Sequence, residues 1–172
     1  MTRVLAGELN RAMFVAFFES VKYVGHLIPI AFLRIFLGYY YLDLAMTKFR
    51  GPFLVQPRFA GEIAEILPAL QAPLWYKTAI ENFLIPHWQT IAFLLVGVQF
   101  AIAFSYLLGY VVRPIALLAA VLALNQLALA PAGGEELPRM LLAIHLTLAW
   151  VGAGRCLGLD YYFFKRRRGL WW

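Results

Sequence analysis

The chain has 172 residues, of which 63% are hydrophobic and only 14% charged, with a net charge of +6. An average soluble domain carries about 25% charged residues, so too few polar side chains are present to cover a water-facing globule, and a lipid bilayer is the implied solvent. The single cysteine excludes an intramolecular disulfide, and no cysteine or histidine spacing suggests a metal site.

Residues 1–26 read as an amphipathic helix. Val4, Leu5, Met13, Phe14, Phe17, Phe18, Val21 and Val24 fall largely on one side, and Glu8, Arg11, Glu19 and Lys22 on the other. Such a helix lies in a membrane interface or packs on a partner subunit. Its charges are spread throughout, so no cleavable signal peptide is expected.

A first membrane span is expected over residues 27–46. It contains Arg34 and Asp43, both costly in hydrocarbon. Their spacing puts them on opposite faces and roughly 13 Å apart in depth, so they cannot pair with each other. Arg34 shares a stripe with Gly38 and Tyr41, whereas Asp43 shares one with Phe36, Tyr39 and Tyr40. Residues 47–89 form a long connection punctuated by Pro52, Pro57, Pro68, Pro73 and Pro86. Short helical patterns over 58–67 and 74–84, with Trp75, Tyr76, Phe83 and Trp88 as interface aromatics, predict an external helical cap.

A second span is expected over 90–111, with Gln99 its strongly polar interior residue, on one stripe with Ala103 and Tyr106. Arg113-Pro114 makes a tight turn into a third span over 114–130, which carries Asn125 and Gln126 near its far end. After a short acidic turn, a fourth span over 138–157 places His145 at mid-depth. It leaves through a glycine-rich exit, GAGRCLGLD. The result is one all-α domain, a four-helix bundle of integral membrane type.

Charge sets the expected orientation. Arg3, Arg11, Lys22, Arg113, Arg155 and the basic run from Lys165 to Arg168 fall on one side. The other side mixes Lys48, Arg50, Arg58, Lys77 and Arg139 with Glu62, Glu65, Glu81, Glu135 and Glu136. The positive-inside rule favours both termini in the cytoplasm. The basic run and the closing aromatics read as a surface anchor and a contact for anionic lipid, not as a nucleic-acid site.

Three stretches carry a family resemblance. LRIFLGYYYLDLAMTKF, with Arg34, Gly38 and Lys48, resembles the opening helix of the DoxX/DoxD family of small four-helix membrane proteins. GVQFAIAFSYLLGYVVRPIALL resembles that family's second helix, turn and third helix. GAGRCLGLD, with Gly152, Gly154, Arg155 and Asp160, resembles its closing signature. The resemblance implies a bacterial or archaeal cytoplasmic membrane and a subunit similar to that of a thiosulfate:quinone oxidoreductase. It also implies a quinone between the helices near Arg34, Asp43, Gln99 and His145. The family often carries a glutamate where this chain has Gln99, and a glutamine neither takes up nor releases a proton. The other expectation is a non-catalytic accessory subunit of a larger respiratory or photosynthetic membrane complex.

Each polar residue has two readings. Arg34 pairs with Asp160, or it donates to a quinone carbonyl or an anionic substrate. Asp43 is neutralised by Lys48, Lys77 or Arg139, or it accepts a proton from a reduced quinone. His145 is a hydrogen-bonded bundle residue with Gln99 and Asn125 as partners, or it serves a ligand or a proton relay. Bis-histidine haem ligation would need a second intramembrane histidine, and His26 and His87 fall at interfaces. Gly154 with Gly158, and Ala149 with Ala153, are small pairs that permit close helix approach. Nothing resembles a nucleotide loop, a metal-ligand cluster or a nucleophile triad.

Overall fold

A computed structural model describes Val15, Glu19 and residues 22–70, 72–131 and 133–166. The expected interfacial helix over 1–26 and the end of the basic run therefore fall mostly outside the described residues. Those described are helical, with no strand among them. In chain order the helices are α1 (Ile28–Arg50), α2 (Arg58–Ile66), α3 (Leu74–Ala79), α4 (Trp88–Leu108), α5 (Val112–Ala128), α6 (Glu136–Val151) and α7 (Asp160–Arg166). A 3-10 turn at Gly25–Leu27 carries α1 back to Lys22, and a π turn at Ile80–Leu84 extends α3.

Two of these elements, Lys22–Arg50 and Trp88–Leu108, are long and apolar enough to cross a membrane. The helices α5 and α6 have 17 and 16 residues, about 26 and 24 Å at 1.5 Å per residue. The fourth apolar run was expected to stay helical to residue 157, but α6 stops at Val151. Gly152 takes a left-handed conformation (φ 69°) and donates its N–H to the Leu148 carbonyl, a glycine stop. Gly152 and Cys156 therefore do not continue the helical face of His145 and Ala149.

The distribution of side-chain size explains how the helices sit. In α5 the buried positions are Val112 and the alanines 116, 119, 120 and 123, while Leu117, Leu118, Val121 and Leu124 are exposed. In α1 the buried face is Ala31, Arg34, Leu37, Gly38, Tyr41 and Ala45, and Phe32, Phe36 and Tyr39 point outward. Small residues inside let backbones approach closely, and large apolar residues outside suit a surface that faces lipid or another membrane helix. A water-soluble bundle distributes them the other way round.

Gly38 shows the close approach directly. A Cβ there would lie 3.0 Å from the Leu107 backbone nitrogen and 3.1 Å from Tyr106 Cβ. The helices form two extensively packed pairs, α1 with α4 and α5 with α6, whereas α4 and α5 touch less. One core joins them, built from residues such as Leu37, Tyr41, Ile102, Tyr106, Leu141 and Leu148. The segment between α1 and α4 has its own small core of Ile63, Leu67, Leu70 and Ile80. Tyr76 ties that segment to α5 by donating to Asn125 Oδ1 at 3.3 Å.

Candidate functional site

Two polar constellations lie inside the bundle. The first is a corner where α1, the α4–α5 turn and the exit of α6 meet. Arg34 is fully buried. Its Nη1 donates to the carbonyls of Ala153 (2.8 Å) and Cys156 (3.3 Å), and its Nη2 donates to that of Leu157 (2.9 Å). A chain leaving a helix has carbonyls without intrahelical donors, and the planar guanidinium fork supplies them. The ion pair expected between Arg34 and Asp160 is not formed: both terminal nitrogens of the arginine donate to these carbonyls, and its buried Nε has no partner.

Asp160 is 1% exposed and serves a different end of the corner. Its Oδ1 accepts the Val111 N–H at 2.7 Å and its Oδ2 accepts the Val112 N–H at 3.1 Å. Val111 is a β-branched residue at φ 53°, a strained conformation for that side chain, and the carboxylate holds it there while capping α5. Burial pushes the Asp160 carboxyl above its ordinary range, and the two N–H groups and Arg34 pull against that. Backbone bonds from Leu159 to Leu108 (3.2 Å) and from Asp160 to Gly109 (2.9 Å) complete the junction.

The glycines of the corner admit these groups. A Cβ on Gly109 would lie 2.5 Å from Arg34 Nη1, and one on Gly154 would collide with the Asp160 carboxylate. Gly154 and Gly158 were expected to mediate helix–helix packing. They instead lie beyond the end of α6, Gly154 in a 3-10 turn (Ala153–Arg155) and Gly158 in the bend after it, where their small size makes room for the Asp160 and Arg34 side chains. Gly152 lies against the guanidinium of Arg113, 2.8 Å from a built Cβ to Nε. Arg155 lies over the Phe164 ring at 4.1 Å.

The second constellation is central. His145 is fully buried between two tyrosines. The Tyr41 hydroxyl lies 2.8 Å from Nε2 and the Tyr106 hydroxyl 2.8 Å from Nδ1. Gln99 and Asn125 were expected as the histidine's partners, and neither is. Asn125 instead accepts from Tyr76. A neutral imidazole has one donor and one acceptor nitrogen. In either tautomer, one tyrosine donates to the ring, and the other accepts from it and keeps a hydroxyl hydrogen to donate elsewhere.

Gln99 is fully buried two helical turns before Tyr106, and neither its Oε1 nor its Nε2 has a hydrogen-bond partner. Burying an amide unpaired costs about 1–3 kcal/mol by mutational measures. Its sequence neighbour Val98, but not Gln99 itself, lines a groove of about 220 Å³ along the α4–α5 seam, walled by Ile91, Leu94, Leu118 and Val121 and ending at Asn125.

Asp43 stands apart from both constellations. It is exposed on α1, and among the described residues it makes no hydrogen bond or ion pair. The cations expected to neutralise it do not. Lys48 sits over the Phe53 ring at 5.1 Å, and Arg139 pairs with Glu135 one turn earlier. Thus Arg34, Gly152, Gly154 and Asp160 share the corner, while Gln99 and His145 lie in the core. Tyr41 and Tyr106 were not singled out as histidine partners, although both fall on the inward stripes of Arg34–Gly38 and Gln99–Ala103. No group of His, Cys, Asp and Glu able to hold a metal ion occurs among the described residues. No family model, curated protein or solved structure matches the chain.

Proposed function

We propose that the chain is a four-span membrane subunit that docks a quinone head group at Gln99, in a quinone-linked oxidoreductase of the DoxD type. The observation that carries this reading is the Gln99 carboxamide, buried in full with both polar atoms unpaired. An unpaired amide presents a donor for a carbonyl and an acceptor for a hydroxyl, the two groups that distinguish a quinone from its reduced form. The apolar α4–α5 groove beside Val98 suits an isoprenoid tail, and it lies along a seam that is packed less than the α1–α4 and α5–α6 pairs.

A bound quinone supplies two-electron, two-proton redox chemistry, and the electrons come from a partner subunit. The chain's own part is to hold and orient the head group. Gln99 donates through Nε2 and accepts through Oε1. The tyrosine hydroxyl that accepts from His145 has a hydrogen left to donate, and the large outward-facing side chains keep water from the core. Arg34 has no free role here beyond its Nε, since both of its terminal nitrogens already hold the corner.

Titration of the purified protein in detergent with a short-tailed quinone analogue tests this. The expected result is saturable binding that falls by about tenfold or more in Gln99→Leu, with the folded yield unchanged. Because leucine removes the unpaired amide, the ligand-free variant should melt higher, by an amount equivalent to about 1–3 kcal/mol. Equal binding by both proteins would overturn the assignment.

The second reading, an accessory subunit of a larger membrane complex, is favoured by a separate observation: the polar residues on the exposed face of α1.

A further inference from the structure

On α1, Phe32, Phe36, Tyr39 and Asp43 recur at spacings of four, three and four residues, which stack them on one helix face. Phe32, Phe36 and Tyr39 are 62%, 66% and 65% exposed, and Asp43 is exposed as well. The opposite face of the same helix supplies the buried Arg34, Gly38 and Tyr41. Neither the Tyr39 hydroxyl nor the Asp43 carboxylate has a partner among the described residues.

Depth makes this costly. Asp43 lies five residues before Lys48, about 7 Å below that lysine's level, and Tyr39 lies about 6 Å deeper still. Lysine and arginine reach an interface from such depths on long apolar stems, but aspartate has a single methylene. Intramembrane carboxylates pair with donors inside protein. Among the described residues none is offered nearby, since Arg34 is buried and committed to carbonyls, and the Lys48 ammonium lies over Phe53.

A second copy of the chain does not solve the problem. Two copies share one orientation in a membrane, so a twofold axis along the bilayer normal would set Asp43 against Asp43 and Tyr39 against Tyr39. Like charges would meet at Asp43, and a pairing of the two Tyr39 hydroxyls would supply no cation to offset them. Charge complementarity calls for a different chain.

We infer that the Phe32–Phe36–Tyr39–Asp43 face docks a transmembrane helix of a different subunit, which presents a lysine, arginine or histidine to Asp43. The two phenylalanines supply the apolar contact deeper in the bilayer, and the Tyr39 hydroxyl meets a partner acceptor. The inference rests on α1 lying in a membrane, but it does not depend on quinone binding at Gln99.

A photo-crosslinking phenylalanine analogue at position 36, used in the native membranes of cells that make the protein, tests it. The expected product is an adduct with one other membrane protein, whose crosslinked helix carries a basic residue within its apolar stretch. Its yield should fall about tenfold or more in Asp43→Leu, with the amount of membrane-integrated chain unchanged. Asp43→Lys combined with an acidic residue at the partner's basic position should restore it. Adducts with lipid only, adducts between two copies of the chain, or an adduct indifferent to residue 43 would each overturn the inference. Recovery of the chain in the soluble fraction would overturn the membrane reading and the inference with it.

Discussion

The histidine between two tyrosines is the clearest case of a buried polar group whose partners can be counted. His145 uses both ring nitrogens, at 2.8 Å each. Replacing it with leucine leaves the hydroxyls of Tyr41 and Tyr106 buried without their partner. The expected loss is about 3 kcal/mol, read as a lower melting temperature in detergent. Tyr41→Phe and Tyr106→Phe added to His145→Leu should recover most of it, because an apolar trio leaves nothing unsatisfied. A triple variant no more stable than His145→Leu would contradict this accounting. The presence of His145 and Gln99 in the interior was legible from their places on apolar helices. Their partners were not, because side-chain hydrogen bonds depend on the rotation of each helix about its axis. A shift of one position would have turned Tyr41 outward.

Helix termini decide how the elements join. The turn from α4 to α5 was legible as Arg113-Pro114, yet its stability comes from Asp160, nearly fifty residues on. That carboxylate caps α5 and holds Val111 at φ 53°. Asp160→Ala should cost about 2–4 kcal/mol, since two charge-assisted bonds are lost. Val111→Gly in the same chain should return about 1 kcal/mol, because glycine adopts that conformation without a Cβ penalty. Thermal unfolding of the two variants checks both figures, and a Val111→Gly change that lowers stability further would contradict the strain argument. The early end of α6 has a similar cause. The apolar run continues past residue 151, but Gly152 stops the helix, and Arg34 holds the carbonyls beyond it. Hydropathy does not register a glycine stop, which is why the span was expected to run on.

The proposed four-span topology depends on the two shorter helices. The helices α1 and α4 meet the length and apolarity expected of spans, whereas α5 and α6, at about 26 and 24 Å, are shorter than a hydrocarbon core of about 30 Å. The exit and turn residues at their ends, with local thinning of the bilayer, would make up the difference. The all-helical architecture was legible from the four apolar runs, and so were the short helices between the first two. The inside-out placement of alanine and leucine in α5 supports a lipid surface there as well. In the alternative two-span topology, α5 and α6 would stay on one side of the membrane. Side-specific labelling of single cysteines, in a Cys156→Ala background in sealed vesicles, separates the two. Glu81→Cys, Glu136→Cys and Arg166→Cys are exposed reporters of the long connection, the α5–α6 turn and α7. Four spans predict that positions 81 and 136 react from one side and position 166 only from the other. Position 136 reacting together with position 166, opposite to position 81, would contradict the account.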